Sequence, residues 1–211
     1  METKKEAFNS TFDENEKISE EQYNMLCETL FRYSPLKSKD KPVVNIIQMD
    51  TAFGLMIAAA TGKGVCMLDY PHHKLTFIKI GKLGDQFKIS FMRRDNPHLD
   101  ALEKQLDEYF NRKRKNFDVP LDLIGTDFQK KVWLSLMQIP YGSTISYKEQ
   151  AEMLKCPGAE RSVANANGKN KIPIILPCHR VIGSNGSLAG YTGGVLYKRK
   201  LLKFEQGIGS I

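Results

Sequence analysis

The sequence predicts an α+β chain in two parts, a small sheet with a helix packed on it followed by a helix-turn-helix unit. Three observations carry this prediction. From Val43 to about Phe91, short apolar runs are broken at Gly62, Gly64, Pro71, Gly81 and Gly84, the rhythm of strands. Beyond residue 125 the punctuation changes to capping boxes and a Pro-Gly turn, the marks of short helices. The charge changes at the same place. Residues 1–40 carry six Lys/Arg against nine Asp/Glu (−3), residues 41–125 thirteen against ten (+3), and residues 126–211 twelve against five (+7).

The elements follow in order. Residues 1–17 are polar and expected to be disordered. Ser19 with Gln22 resembles a capping box, and Tyr23, Leu26, Leu30 and Tyr33 recur at helical spacing, which predicts a helix from Ser19 to Tyr33. Gly64–Leu68, Lys74–Ile80 and Gln86–Phe91 fit strands of a small antiparallel sheet. Asp95-Asn96-Pro97 opens a helix with proline in its favoured first turn, and Leu99, Leu102, Leu106 and Phe110 form its apolar face. The basic run Asn111–Asn116 reads as a solvated hinge. Three units result: an extension over residues 1–40, an α+β domain over 41–115 and a second domain over 116–211.

The second domain opens on the capping box Thr126-Asp127-Phe128-Gln129, with Phe128, Val132, Leu136 and Ile139 as the apolar stripe and Pro140 as the stop. Phe128 and Trp133 read as core residues. A further capping box, Ser146 with Glu149, starts a short helix through Leu154. The turn Lys155-Cys156-Pro157-Gly158 leads into a helix from Ala159 to about Gly168, completing a helix-turn-helix signature. That last helix carries unusually small side chains. Such a surface fits a backbone set deep in a groove, and equally one packed tightly on a neighbour. Asn185-Gly186 is a hairpin signal, and a final helix is expected from Val195 to about Gln206.

The composition is that of a globular protein, with 41% apolar and 26% charged residues in 211. No apolar stretch approaches the roughly 18–20 residues that span a bilayer. The charged start, Met1-Glu2-Thr3-Lys4-Lys5-Glu6, leads to no apolar signal core, so an intracellular protein is expected, in cytoplasm or nucleus. Four widely spaced cysteines (Cys27, Cys66, Cys156, Cys178) contain no C-x-x-C pair and suggest a reducing compartment. His72-His73 near Cys66 matches no standard zinc spacing, and no metal or cofactor is expected. The basic C-terminal half fits a polyanionic partner through counterion release, or simply a soluble basic surface.

The chemistry concentrates at Ile174-Ile175-Leu176-Pro177-Cys178-His179-Arg180-Val181-Ile182-Gly183. An apolar run delivers a thiol, and imidazole and guanidinium follow at once. A thiol is a strong nucleophile only as thiolate, and an adjacent base or positive charge favours that form. Neighbouring side chains in extended backbone point apart, so His179 would act on Cys178 through water. Glu205, the only acid of the last helix, is the candidate to orient the imidazole. Glycines around Tyr191 and Thr192 would let backbone N–H groups approach a substrate oxygen. A buried structural cysteine gives the same local pattern, and periodicity does not decide between the two.

Pro177-Cys178-His179-Arg180-Val181 followed by Gly190-Tyr191-Thr192-Gly193-Gly194 resembles the signature of the O6-alkylguanine-DNA alkyltransferases. Gly125–Gln129 and Ile139–Tyr147 resemble the same family, so the likeness runs from about Pro120 to Glu205. It implies an N-terminal ribonuclease-H-like sheet-plus-helix domain and a C-terminal winged-helix-like helix-turn-helix domain. It also implies an alkyl acceptor at Cys178, a water-mediated relay through His179 and Glu205, and Asn170 bracing the active-site turn. Arg161 would enter the duplex in place of the extruded nucleotide, with Ser162, Ala164 and Asn165 on the same DNA-binding helix. Tyr147 would help rotate the nucleotide and donate a hydrogen bond to the guanine ring. Pro173, Val181, Tyr191, Thr192 and Gly193 would line the pocket, with Tyr191 and Thr192 as its lid. Thr192 stands where some members carry serine. The implied partner is the minor groove of double-stranded DNA holding O6-alkylguanine, with O4-alkylthymine as a lesser substrate, and the implied protein is a monomer consumed after one transfer. Two other readings compete: a non-catalytic alkyltransferase-like protein, which generally lacks the cysteine, and a Cys-His-Glu hydrolase that turns over.

Overall fold

The computed structural model describes residues 43–70, 80, 83, 88–90, 96–188, 191, 193–208. The expected extension, with its helix from Ser19 to Tyr33, lies outside the described residues. Strand β1 (Val43–Thr51) and strand β2 (Gly54–Thr61) form an antiparallel hairpin in which Thr51 pairs with Gly54. Strand β3 (Gly64–Asp69) pairs antiparallel with β2, and every one of its residues is buried. Strand β4 (Lys88–Ser90) falls inside the expected Gln86–Phe91 strand, but it pairs parallel to β1. The sheet is therefore mixed, in the order β3-β2-β1-β4, and not purely antiparallel. Of the expected strand Lys74–Ile80 only Ile80 is described, and it is helical, as is Leu83. Both are buried; a spacing of three brings them to one helical face.

Helix α1 (Pro97–Phe110) begins where the Asn-Pro signal placed it. The Asn96 side chain accepts from His98 N, and Leu99, Leu102, Leu106 and Phe110 are buried against the sheet. Tyr109 is buried as well, on the side that faces the second domain. The segment after α1 is anchored along its length. Arg112 donates to Phe204 O at 3.0 Å and stacks on the Phe204 ring, while Arg114 is paired with Glu108. The chain then runs along the β3 edge, with Val65 N donating to Pro120 O and Asp122 N to Val65 O, both at 2.8 Å. Gly64 permits this approach, because a Cβ there would overlap the Pro120 carbonyl.

Helix α2 (Asp127–Leu136) carries the complete Thr126/Gln129 capping box. Val132 and Leu136 are buried as the stripe requires, Ile139 is buried beyond the helix end, and Trp133 is buried as a core residue. Phe128 departs from the expected core role: in the first turn of the helix, it is 39% exposed. Strand β5 (Ile145–Ser146) leads directly into helix α3 (Tyr147–Met153), again with a complete capping box, Ser146/Glu149. Helix α4 (Glu160–Gly168) follows the Pro-Gly turn, giving the helix-turn-helix unit. Its small residues serve close packing on the inner side: Trp133 Nε1 donates to Ala166 O at 2.8 Å, and buried Asn167 donates to Gln150. Gln150 in turn donates to Val132 O and Ser135 Oγ, so α2, α3 and α4 share one buried polar network. Strand β6 (Val181–Ile182) pairs parallel with β5, and helix α5 (Val195–Glu205) closes the domain. Asn185-Gly186 does make a tight turn, with Gly186 N donating to Gly183 O. Gly183 N also donates to Ser187 O across it at 2.9 Å, and no strand follows it among the described residues.

Candidate active site

The chain between α4 and β6 is a tight, buried turn braced by one side chain. Asn170 is fully buried; its Oδ1 accepts from Ile172 N at 2.9 Å, and its Nδ2 donates to Leu176 O at 2.7 Å and to Cys178 Sγ at 3.2 Å. Leu68 N of β3 donates to Lys171 O at 2.8 Å, so the sheet edge holds the same turn from outside. Ile174 is a β-branched residue with φ +75°, a conformation that costs on the order of 1–3 kcal/mol and persists only where the surroundings enforce it. Cys178, His179 and Arg180 form one 3₁₀ turn, not the extended backbone expected. All three are buried, Cys178 to 1% exposure. In this conformation the sulfur is closed off from solvent.

The end of α5 completes the constellation. His179 Nε2 lies 3.0 Å from Glu205 Oε1 in a fully buried setting. The carboxylate accepts, so Nε2 carries the proton and the buried Nδ1 is the basic nitrogen; no described residue hydrogen-bonds it. Burial lowers the His179 pKa, Glu205 pulls it back up, and the charges of Arg180 and Lys198 lower it further. A neutral imidazole at neutral pH results, able to accept a proton at Nδ1. Burial alone would raise the Glu205 carboxyl, but hydrogen bonds and charge from His179 and Arg180 outweigh it and hold the group well below the usual carboxylate range. Arg180 reaches Glu205 through both Nε (2.9 Å) and Nη2 (2.8 Å), and Ile139 O through Nη1 at 2.6 Å.

Around the sulfur stand Tyr147, Tyr191 and Lys198, each of which feels the charge of Cys178. The parallel β5–β6 pair sets the start of α3, and so Tyr147, beside the Cys178 turn. Burial and that charge push the Tyr147 phenol up to about 12, which keeps it a hydrogen-bond donor. Lys198 is fully buried, donates to Val181 O at 2.6 Å and lies 3.4 Å from the Tyr147 hydroxyl. Burial lowers it to about 8 against the opposing pull of Cys178. Pro173, Val181 and Gly193 are buried in the same region, and Tyr191 sits edge-on to His179. Gly193 has Tyr70 against it: an added Cβ would meet the ring at 2.7 Å. Thr192 lies outside the described residues. On the opposite side of α4, Arg161, Ser162 and Asn165 are exposed and Ala164 partly so. A shallow hollow of about 420 Å³ is lined by Arg161, Ala164, Asn165, Gly168 and Lys169.

The structure thus gathers Cys178, His179, Glu205, Asn170, Tyr147 and Tyr191 at one place, and sets Arg161 on the outer face of the adjoining helix. The sequence reading gave Arg180 only as positive charge beside the thiol, not as a partner of Glu205, and gave no role to Lys198 or Tyr109. Arg180 stood in the motif itself, and an invariably charged side chain in an apolar run was a signal for a buried acid partner. Tyr109 carried none, since its partner Glu205 is 96 residues away. Cys66 is no rival to Cys178: burial, then the Asp122 charge, push its thiol up to about 12, and it donates to Ala59 O.

A family model described as 6-O-methylguanine DNA methyltransferase, DNA binding domain, matches residues 127–207; one described as the ribonuclease-like domain of the same protein matches residues 47–123. A methylated-DNA--protein-cysteine methyltransferase of Mycobacterium tuberculosis is 56% identical over 102 residues, 48% of this chain and 62% of that relative. The match therefore spans less than two thirds of that relative's length. Its counterpart in Mycobacterium leprae is 38% identical over 164 residues, covering 78% of this chain and 93% of the relative. Among solved structures, the Mycobacterium tuberculosis O6-methylguanine methyltransferase superposes with a TM-score of 0.65 at 38% identity, covering 79% of this chain and 94% of that one. The same organism's OGT in complex with DNA gives a TM-score of 0.64 at 38% identity, covering 80% and 95%.

Proposed function

Since the chain belongs to the 6-O-methylguanine DNA methyltransferase family, we propose that it repairs DNA by moving the alkyl group of O6-alkylguanine onto Cys178, once per molecule. The observation that carries the reading is the buried set of Cys178 beside Asn170, with His179 held by Glu205 and its Nδ1 left as the base. The thiol proton passes through a water to His179 Nδ1, and Asn170 Nδ2 stabilises the thiolate. Sulfur then attacks the alkyl carbon in line; the S–C bond forms as the C–O6 bond breaks, and its electron pair goes to O6. Tyr147, held protonated, donates to the guanine ring as charge develops there, and the guanine left in the DNA becomes neutral by taking up one proton, balancing the one the thiol gave to His179. The product thioether is stable, so the protein is spent.

A sulfur this enclosed cannot reach a stacked base, and the alkylated nucleotide must leave the duplex to meet it. In this reading α4 enters the minor groove. Its exposed Arg161 fills the vacated stack as a planar cation, while Ser162, Ala164 and Asn165 form the close approach. Tyr191 and Thr192 move aside and close over the base against Pro173, Val181 and Gly193. The protein works as a monomer inside the cell, with O4-alkylthymine a lesser substrate; the described residues contain no helix long and apolar enough to cross a membrane. The test is the endpoint of methyl transfer from duplex DNA carrying labelled O6-methylguanine. One methyl per protein molecule is expected. Continued release of product would indicate a hydrolase, and binding without transfer a recognition-only protein.

A further inference from the structure

We propose that Tyr109, carried by α1 of the sheet domain, is a positioning residue of the relay: its hydroxyl competes with His179 for Glu205 Oε1 and so weakens the carboxylate's hold on the imidazole. The inference rests on the reading of Cys178, His179 and Glu205 as a thiol-activating relay. Glu205 receives five hydrogen bonds. Oε1 takes Tyr109 Oη at 2.7 Å, Arg180 Nη2 at 2.8 Å and His179 Nε2 at 3.0 Å; Oε2 takes Arg180 Nε at 2.9 Å and Gly142 N at 3.0 Å. A carboxylate oxygen offers about two lone-pair directions, so three donors share them on Oε1. The contact to His179 is the longest of the three.

Tyr109 cannot withdraw. It is fully buried, and the rings of Phe110, Phe117, Tyr141 and Phe204 pack around it at 5.2–5.9 Å. Burial and the Glu205 charge also hold its phenol well above its ordinary pKa, so the hydroxyl remains a donor at every working pH. The other charged or titratable groups facing the pair are Arg180, Lys198, Cys178, Tyr141, Tyr191 and, beyond Phe204, Arg112. None of these except Arg180 touches Glu205. Tyr109 is therefore a fixed donor that shares Oε1 with His179, and it places the sheet domain in direct contact with the chemistry.

Removing the hydroxyl returns electron density on Oε1 to His179, makes the imidazolium more favourable and raises the His179 pKa. Strengthening the donor does the opposite. The test is an NMR titration of the His179 ring in the full-length protein, with no DNA present, so it is independent of whether alkyl transfer occurs. Tyr109→Phe, which keeps the ring, should raise the His179 pKa by at least about half a unit. Replacing Tyr109 by a tyrosine fluorinated on both carbons beside the hydroxyl should lower it. A purely structural role predicts no shift, or shifts of the same sign in both proteins, and either result overturns the proposal. If Tyr109→Phe does not fold, the fluorinated protein decides alone: a fall supports the proposal, while no change or a rise overturns it.

Discussion

Asn170→Ala removes one carboxamide and with it three hydrogen bonds, and the structure separates what each loss does. Leu176 O keeps the Cys178 N–H at 2.8 Å, so it stays satisfied. Ile172 N loses its acceptor in a buried setting, at a cost of about 1–3 kcal/mol of folding stability. The third bond, to Cys178 Sγ, matters most to the sulfur when it is ionised. A hydrogen bond to a charged group is worth about 1.5–3 kcal/mol, or roughly one to two units in the pKa of the thiol. The thiolate fraction at neutral pH should then fall about 10- to 100-fold, and the single-turnover rate of alkyl transfer with it. Rapid-quench measurements across pH, alongside urea unfolding, check both parts. The variant should lose stability and recover rate as pH rises. A rate deficit independent of pH, or a normal rate in the destabilised protein, would show that Asn170 does not act on the sulfur.

Glu205→Gln is expected to destabilise the protein by about 3–5 kcal/mol at neutral pH, because Arg180 is left buried beside a neutral amide. The Glu205 carboxyl lies below its unfolded pKa, so its contribution is complete above roughly pH 4.5 and is lost as pH falls toward the folded value. Urea unfolding should therefore show the stability gap between wild type and variant narrowing as pH falls below that point; a gap constant with pH would refute the linkage. Arg161→Ala should weaken repair in duplex DNA far more than reaction with free O6-benzylguanine, since exposed Arg161 lies on the outer face of α4, away from the sulfur; equal losses would contradict its role in extrusion. Trp133→Phe keeps an aromatic ring but removes part of the buried indole volume and its bond to Ala166 O, and should lower stability by at least about 1–3 kcal/mol while loosening α4. Thermal unfolding together with DNA affinity tests this, and an unchanged melting temperature would refute it.

Much of this was legible in the residues. Both capping boxes of the second domain, the Asn-Pro start of α1 and its four apolar positions are local signals, and local physics produced them. The parallel pairing of β4 was not readable, because a three-residue strand carries no information about its partner's direction. Phe128 misled because apolar spacing along a helix does not say which of its turns is covered, and the first turn of α2 leaves this ring 39% exposed. At the site, Cys178, His179 and Glu205 were named from chemistry and resemblance. The oxygen they share with Arg180 and Tyr109 depends on packing between elements far apart in the chain, to which periodicity is blind.

Everything functional here depends on Cys178 being the atom that takes the alkyl group. Intact-protein mass spectrometry with peptide mapping, after incubation with excess duplex DNA containing O6-methylguanine, measures that directly. One added methyl is expected, located on Cys178 and absent from Cys178→Ser. An unchanged mass with DNA demonstrably bound, or a methyl on Cys66 or Cys156, would contradict it.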